Sequence, residues 1–570
     1  MRHKVILYLF SILILTSLFY TQIINRKKYS EIALKNVLMG EKIIATRGII
    51  YDRNGIPLAV SYPSYNLYIY PAHFKEKDME KIKEILKNES ILKKFKKGYR
   101  VVKIENIDYE KASFILEHIE EFNGVSVKIE PKRYYLYDEL LSHLIGYVGE
   151  VSDDEIKKNY NLNLGDIIGK KGIEKSYDNF LRGKDGIEYV ITDAHGRKIG
   201  KTKNLNDVKP VEGYEISLTI DLELTKFVDS LMQQYSKGAV CAMNPKNGEI
   251  IVYYSKPGFP SNKIVYESAD SIWNELLKSP DYPLFDRVLQ GQYPPGSVFK
   301  VFTALCGLKN GLVSPETRFS PCYGGIYIGN KYMGCWNVHG SLNLKYAIIR
   351  SCDVYFYQLG LKIGLKRLSE EAKEFGFGTK TGIDIPDEKS GLIPDENWYN
   401  RFFGRYGWGK GVVANLAIGQ GEILVTPLQV VRFIGGIFNG GYFYKPYLVK
   451  EIKDKEGNIV YKPKIEFKKI DIDTGIVNFL RYALKGVIDD STGTAHWVKI
   501  KDIDIGGKTG TAQNPHGEDH SLFVSFAPVE EPEIVVFVVV ENAGHGSTVA
   551  APIAVKLIQR YLKGRNNVKT

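Results

Sequence analysis

A chain of 570 residues is too long for one compact domain and predicts two to four. Hydrophobic residues make up 44% and charged residues 25%, enough to bury a sizeable core, which excludes disorder as a description of the whole. The net charge of +11 comes from lysines dispersed among glutamates, with no basic block interleaved with aromatics, so it reads as a solvated surface and not as a nucleic-acid groove.

The first element is an uncharged apolar run from Val5 to Ile24, preceded by Arg2 and Lys4 and followed by Arg26, Lys27 and Lys28. About 20 residues at 1.5 Å rise span a bilayer core of roughly 30 Å. The run is longer than a signal-peptide core and no small-x-small exit follows it, so residues 5–25 read as an uncleaved signal-anchor. Basic residues on both sides leave its orientation open. No second run of this length exists, so everything from Arg26 onward lies in one aqueous compartment.

Tyr29 to about Ala45 mixes apolar and charged residues as an emerging helix does, and Asn54-Gly55 between Gly48–Tyr51 and Ile56–Val60 predicts a hairpin. Lys75–Lys97 reads as solvated helices, and Tyr99–Gly213 as an α+β region without a catalytic cluster. From Gly213 the texture changes: a strand at Tyr214–Ile220, a helix over Asp221–Gln234, and two strands, Gly238–Met243 and Glu249–Tyr254, joined as a hairpin. Near the end Leu522–Phe526 and Ile534–Glu541 are strands, Ala550–Leu562 is an amphipathic helix, and Lys563–Thr570 is a disordered tail. Strands at both ends around a helix-rich middle predict an antiparallel sheet with helices on its faces, hence an α+β fold.

Three segments carry chemistry. In Tyr293-Pro294-Pro295-Gly296-Ser297-Val298-Phe299-Lys300 the Pro-Pro-Gly is a loop and the apolar spacing after it is helical, so Ser297 sits at a helix N-terminus with Lys300 on the same face. A serine hydroxyl needs a neighbouring base, which a desolvated lysine can supply, and helix-terminal N–H groups favour a developing oxyanion. Alone this spacing is cheap: Ser90-Ile91-Leu92-Lys93 repeats it inside a Lys-rich helix. The second segment is Arg350-Ser351-Cys352-Asp353-Val354-Tyr355-Phe356-Tyr357, whose bland reading is a helix cap. The third is Ile505-Gly506-Gly507-Lys508-Thr509-Gly510-Thr511-Ala512, where glycines in a strand mark close approach of another backbone, such as a peptide substrate; a bulged edge strand is the alternative.

In that order, Ser-x-x-Lys, Ser-x-Asp and Lys-Thr-Gly form the signature of penicillin-binding proteins and serine β-lactamases. The chain resembles the class B penicillin-binding proteins over nearly its whole length: Arg47-Gly48 with Asp52-Arg53-Asn54-Gly55, Gly172-Ile173-Glu174 with Leu181-Arg182-Gly183, Leu218-Thr219-Ile220-Asp221, and Ile418-Gly419-Gln420-Gly421 with Thr426-Pro427-Leu428-Gln429 all look like family motifs. Ser-Cys-Asp-x-Tyr-Phe-Tyr points to the elongation-type branch, penicillin-binding protein 2. The resemblance implies a cytoplasmic stretch at 1–4, a single-pass anchor in the cytoplasmic (inner) membrane, an extracytoplasmic pedestal over 26–212 and a transpeptidase domain over 213–563.

The roles it implies follow. Ser297 attacks the D-Ala–D-Ala carbonyl of a peptidoglycan stem peptide, and Lys300 is the base. Ser351 relays protons while Asp353 positions the network. Thr509, Gly510 and Thr511 form the substrate-binding segment, in which Lys508, Thr509 and Thr511 bind the terminal carboxylate, and the N–H groups of Ser297 and Thr511 form an oxyanion hole. β-Lactam antibiotics acylate the same serine, catalysis needs no cofactor, and the partners are a SEDS-family glycan polymerase and other elongation-machinery proteins. A β-lactamase or carboxypeptidase, an antibiotic sensor and a bifunctional glycan polymerase fit less well with one anchor and a long pedestal.

Cys322, Cys335, His339 and Cys352 read Cys-x12-Cys-x3-His-x12-Cys, a ligand set that suits structural zinc. Some members of the resembled branch hold zinc near this motif. A Cys322–Cys335 disulfide with one cysteine left over, or unlinked thiols, are the other readings. Cys241 and Cys306 are expected in the core.

Overall fold

The computed structural model describes residues 2–569 except 31–37, 71–73, 75, 87–101, 159–161, 193–197, 202–205, 267–268 and 515–516. The chain divides into two compact units, one formed by Met1–Gly48, Ser61–Tyr134 and Arg182–Tyr214, the other by Ile49–Val60, Tyr135–Leu181 and Glu215–Thr570.

In the smaller unit, His3–Ile24 is helical, and its side chains are exposed, as an apolar helix without protein neighbours must be. It is the one helix among the described residues long and apolar enough to cross a membrane. The helix expected up to Ala45 is corrected at Leu38–Ile43, which is a strand paired antiparallel with Gly186–Thr192, with Gly40 opposite Tyr189. A glycine in its middle weakens the helical alternative, and pairing decides the rest. A second core gathers Leu67, Ile69, Ile82, Leu86, Ile115 and Phe122. Ile82 and Leu86 belong to the helix Glu76–Leu86, so this Lys/Glu-rich helix is amphipathic and docked, not solvated all round. The rest of that predicted helical stretch, with Ser90–Lys93, lies outside the described residues.

The larger unit contains the predicted Asn54-Gly55 turn. Asp52 Oδ1 accepts the N–H groups of Asn54 and Ile56, both at 2.8 Å, and Gly55 adopts φ +83°, which a side chain would strain. The two strands meet with Ile50 opposite Ala59. Leu58, Ala59, Leu141, Leu144 and Ile145 then join the same buried core as the sheet described next, which is why Ile49–Val60 and Tyr135–Leu181, expected in the pedestal, fall in this unit.

That sheet is five-stranded and antiparallel, in the order Ile250–Lys256, Gly238–Met243, Ile534–Val540, His520–Ala527, Gly506–Ala512. Every residue of Ile534–Val540 is buried, because Pro427–Phe438 packs on one face and Ala550–Lys569 on the other; this explains a continuous apolar run in place of alternation. Cys241 and Cys306 are fully buried. The final helix runs on to Lys569, past Lys563, where the sequence predicts a disordered tail; its one proline, Pro552, sits in the first turn, where the missing N–H costs no helical hydrogen bond. Among the described residues no strand pairs with the outer side of Gly506–Ala512, so the Lys508 segment lines an open sheet edge.

Candidate active site

Ser297 lies in a 3₁₀ turn, Gly296–Phe299, that continues directly into the helix Lys300–Lys309. Gly296 is held at φ +52°, and a Cβ there would fall 2.5 Å from Thr511 O and 3.2 Å from Thr511 N. Its N–H donates to Gly419 O at 2.9 Å, while Gln420 Nε2 donates to Thr511 O at 2.9 Å. The turn carrying Ser297 is thus pressed between the edge strand and the Gly419–Gln420 loop, and only a glycine at 296 permits the approach. Ser297 itself is half-buried, one helical turn before Lys300.

Lys300 is fully buried and its Nζ donates to Asp353 Oδ1 at 2.7 Å, to Ser351 O at 2.9 Å and to Ser351 Oγ at 3.3 Å. Lys508, also fully buried, donates to Ser351 Oγ at 2.8 Å and to Thr509 O at 3.2 Å. One serine hydroxyl therefore accepts from two amines brought from separate motifs. Burial first, and the charge of Lys300 second, push the Lys508 amine well below the ordinary lysine range. Burial raises the Asp353 carboxyl, with Lys300 opposing the shift. Ser351 is not the helix cap of the bland reading: the helix is Asp353–Ile363, the residue before it is Cys352, and Ser351 stands outside at φ +53°.

On the edge strand, the reading that substrate approach explains the glycines is corrected. A Cβ at Gly506 would lie 2.3 Å from the Phe526 ring, and one at Gly507 2.6 Å from Phe523 Cζ, so the adjacent strand's aromatics require both. Gly510 faces Val298 and Pro295 of the Ser297 turn, with virtual Cβ contacts of 3.0 and 3.1 Å. Thr509 Oγ1 pairs with Thr494 Oγ1 at 2.8 Å, and Thr511 is half-buried. Thr494, Gln420 and Trp336, whose Nε1 donates to Ser351 O at 3.1 Å, are site neighbours that no motif spacing singled out as contacts. For Trp336 a signal existed, since it sits between two predicted ligands.

Cys322, Cys335, His339 and Cys352 converge, their ligand atoms all within 4.8 Å of one another. His339 Nδ1 is 3.7 Å from Cys322 Sγ and 3.4 Å from Cys335 Sγ. Tetrahedral zinc, with Zn–S about 2.3 Å and Zn–N about 2.0 Å, sets sulfur and nitrogen about 3.5 Å apart, so the donor set and its spacing fit the ion. All five cysteines are free thiols in this structure. Asp353 N donates to Cys335 Sγ at 3.3 Å, so the cluster abuts the helix start that carries Ser351 and Asp353.

Comparison with known proteins agrees with this geometry. Residues 238–559 match the penicillin binding protein transpeptidase domain and residues 42–218 the penicillin-binding protein dimerisation domain. The chain is 33% identical to the peptidoglycan D,D-transpeptidase MrdA of Acinetobacter baumannii, over 96% of this chain and 84% of that protein. Among solved structures it is similar to penicillin-binding protein 2 of Helicobacter pylori in complex with MreC, at TM-score 0.80 and 30% identity, covering 93% of this chain and all of that one. It is also similar to a chain of a peptidoglycan synthase complex described as coordinating polymerization and crosslinking, at TM-score 0.74 and 26% identity, covering 98% of each. The chain belongs to the penicillin-binding proteins, of the class B kind that joins a dimerisation domain to a transpeptidase domain.

Proposed function

We infer that this chain is a peptidoglycan D,D-transpeptidase of cell-wall elongation, working by acyl transfer through Ser297. The observation that carries the residue roles is the meeting of Lys300, Ser351 and Lys508 around one hydroxyl, next to the helix tip that presents Ser297. Ser297 Oγ attacks the carbonyl carbon of the penultimate D-Ala while its proton passes to Lys300, which acts in its neutral form after ceding an ammonium proton to Asp353, whose carboxyl is pushed up by burial. The Lys300–Ser351–Lys508 chain returns a proton to the departing D-Ala nitrogen as the C–N bond breaks. An amine of a neighbouring stem peptide then attacks the ester, and its surplus proton passes through Lys300 to Ser297 Oγ as the C–O bond breaks. The N–H groups of Ser297 and Thr511 stabilise the oxyanion, and Lys508, Thr509 and Thr511 bind the terminal carboxylate at the open strand edge.

In this reading residues 5–25 anchor the chain in the cytoplasmic membrane, 26–212 are the pedestal and 213–563 the extracytoplasmic transpeptidase domain. The relatives' complexes, one with MreC and one a peptidoglycan synthase complex, support docking on an MreC-like protein and a glycan-polymerising partner, for which the family resemblance implies a SEDS-type enzyme. Transpeptidases of this family need no cofactor for the chemistry. Cys322, Cys335, His339 and Cys352 would hold a structural zinc, which when bound cross-links the loop before the Ser351 helix to that helix's start.

The test is mass spectrometry after exposure to labelled penicillin. A stable adduct on Ser297 that vanishes in Ser297→Ala supports the reading. Rapid turnover of penicillin would make the chain a β-lactamase, and label on another residue would overturn the role of Ser297.

A further inference from the structure

Three consecutive residues between two of the cysteines each place one hydrogen bond on the segment that carries Ser351 and Asp353. Gly334 O accepts from the Tyr357 hydroxyl at 2.9 Å, Cys335 Sγ accepts the Asp353 N–H at 3.3 Å, and the Trp336 Nε1–H donates to Ser351 O at 3.1 Å. The partners fall at 357, 353 and 351, so Gly334–Trp336 runs antiparallel along the motif as a clamp.

The Trp336 bond has the most direct geometric consequence. Ser351 sits at φ +53°, a left-handed conformation that costs a non-glycine residue about 1 kcal/mol or more. Such a residue persists only where its surroundings over-determine it, and its carbonyl here takes two donors, Lys300 Nζ at 2.9 Å and the indole at 3.1 Å. Lys300 is already divided among Asp353 Oδ1, Ser351 O and Ser351 Oγ. Without the indole, the carbonyl would draw on the same amine that the hydroxyl needs. The ring also packs edge-on against His339, with centroids 5.1 Å apart at 67°, yet Trp336 remains 59% exposed. An aromatic kept for core packing would be buried. This one is spread over the rim with its single polar atom turned inward.

We propose that Trp336 is a positioning residue for the acyl transfer: its N–H fixes the Ser351 carbonyl, which holds the left-handed turn and so aims Ser351 Oγ at Lys300 and Lys508. Through His339 and Cys335 the same residue ties that aim to the cysteine–histidine cluster. The inference rests on the acyl-transfer reading above.

The experiment replaces Trp336 in the full-length protein with β-(3-benzothienyl)alanine, which keeps the ring shape and exchanges N–H for sulfur, and in parallel makes Trp336→Phe. Fluorescent penicillin then resolves the reversible binding constant from the acylation rate constant. Loss of one net hydrogen bond predicts an acylation constant about tenfold lower in both variants, with reversible binding within about twofold of wild type. Thermal midpoint and thiol accessibility of the benzothienyl variant should match wild type, a pattern that a merely structural role would not give. An acylation constant within about twofold of wild type in the benzothienyl variant overturns the proposal. So does weakened reversible binding at unchanged acylation, which would make the ring a ligand platform. If Trp336→Phe fails to fold, the benzothienyl variant decides alone. Ser297→Ala run alongside separates the two levels: label persisting there sinks the acyl-transfer reading, whereas a silent Ser297→Ala beside a fully active benzothienyl variant sinks only the clamp.

Discussion

Lys508 Nζ and Ser351 Oγ meet at 2.8 Å although 157 positions separate them in sequence. Lys300 reaches the same hydroxyl at 3.3 Å from the opposite motif, so among the described residues Ser351 is the one side chain bridging both amines. Ser351→Ala should leave the fold intact and slow acylation by labelled penicillin about 100-fold, the lower end of what a positioned proton-transfer group contributes. A rate within about threefold of wild type would mean that the proton travels another way.

Asp353 neutralises Lys300 in a place where water cannot. The pair is 2.7 Å apart, with the lysine side chain at 0% exposure and the aspartate at 15%. Removing one partner of such a pair leaves an uncompensated buried charge and costs about 3 kcal/mol. Asp353→Asn is expected to lower the thermal midpoint of the larger unit by several degrees, measured calorimetrically, besides slowing acylation. Wild-type stability with slow acylation would assign Asp353 a purely catalytic part.

Much of this was legible in the chain, and the rest had physical reasons for staying hidden. Asn54-Gly55 predicts its hairpin because the turn chemistry is local: Asp52 and a positive-φ glycine suffice. Ser297 at a helix tip follows from Pro-Pro-Gly before helical spacing for the same reason. Leu38–Ile43 was not legible, because its strand state depends on a partner some 150 residues away. Neither was the cause of the glycines at 506 and 507, which depends on where Phe523 and Phe526 point from the next strand. Thr494 reaches the site through tertiary packing alone, with no motif to announce it, and Gln420, though it lies inside a quoted motif, meets Thr511 only because the fold brings two distant segments together.

Those glycines make a prediction that separates packing from substrate contact. A Cβ at position 507 would sit 2.6 Å from Phe523 Cζ and 3.0 Å from Val524 O. Gly507→Ala should destabilise the protein by about 2 kcal/mol through overpacking. Phe523→Leu in the same chain should restore part of the thermal midpoint. If the double variant is no more stable than Gly507→Ala, the clash is with the backbone carbonyl instead.

Metal removal tests the cysteine–histidine cluster. The protein as purified without chelator is expected to carry about one zinc per chain, held by four ligands. Stripping it with a strong chelator should expose Cys335 to alkylation, since it is the one half-buried thiol of the set, and lower the thermal midpoint. Cys335→Ser should lose the ion and slow acylation as well, because Cys335 Sγ holds the Asp353 N–H. Absence of zinc together with a Cys322–Cys335 disulfide would remove the metal reading.

His143 predicts an acid limb of stability unconnected with catalysis. Its ring is 3% exposed, Nε2 lies 3.0 Å from Pro257 O, and Nδ1 is buried without a partner among the described residues. Burial pushes its pKa down from 6.5 to about 4, so the native state keeps the imidazole neutral while the unfolded chain protonates below 6.5. Between those values the unfolded state binds more protons, and stability therefore rises with pH. The contribution is complete above pH 6.5, is lost progressively as the pH falls to about 4, and totals about 3 kcal/mol. His143→Gln, whose amide can still donate to the Pro257 carbonyl, should flatten this limb. Urea unfolding of the larger unit at pH 7 and pH 4.5 should then differ less in the variant than in wild type by about 2 to 3 kcal/mol. An unchanged difference would place the acid sensitivity in the carboxylates instead.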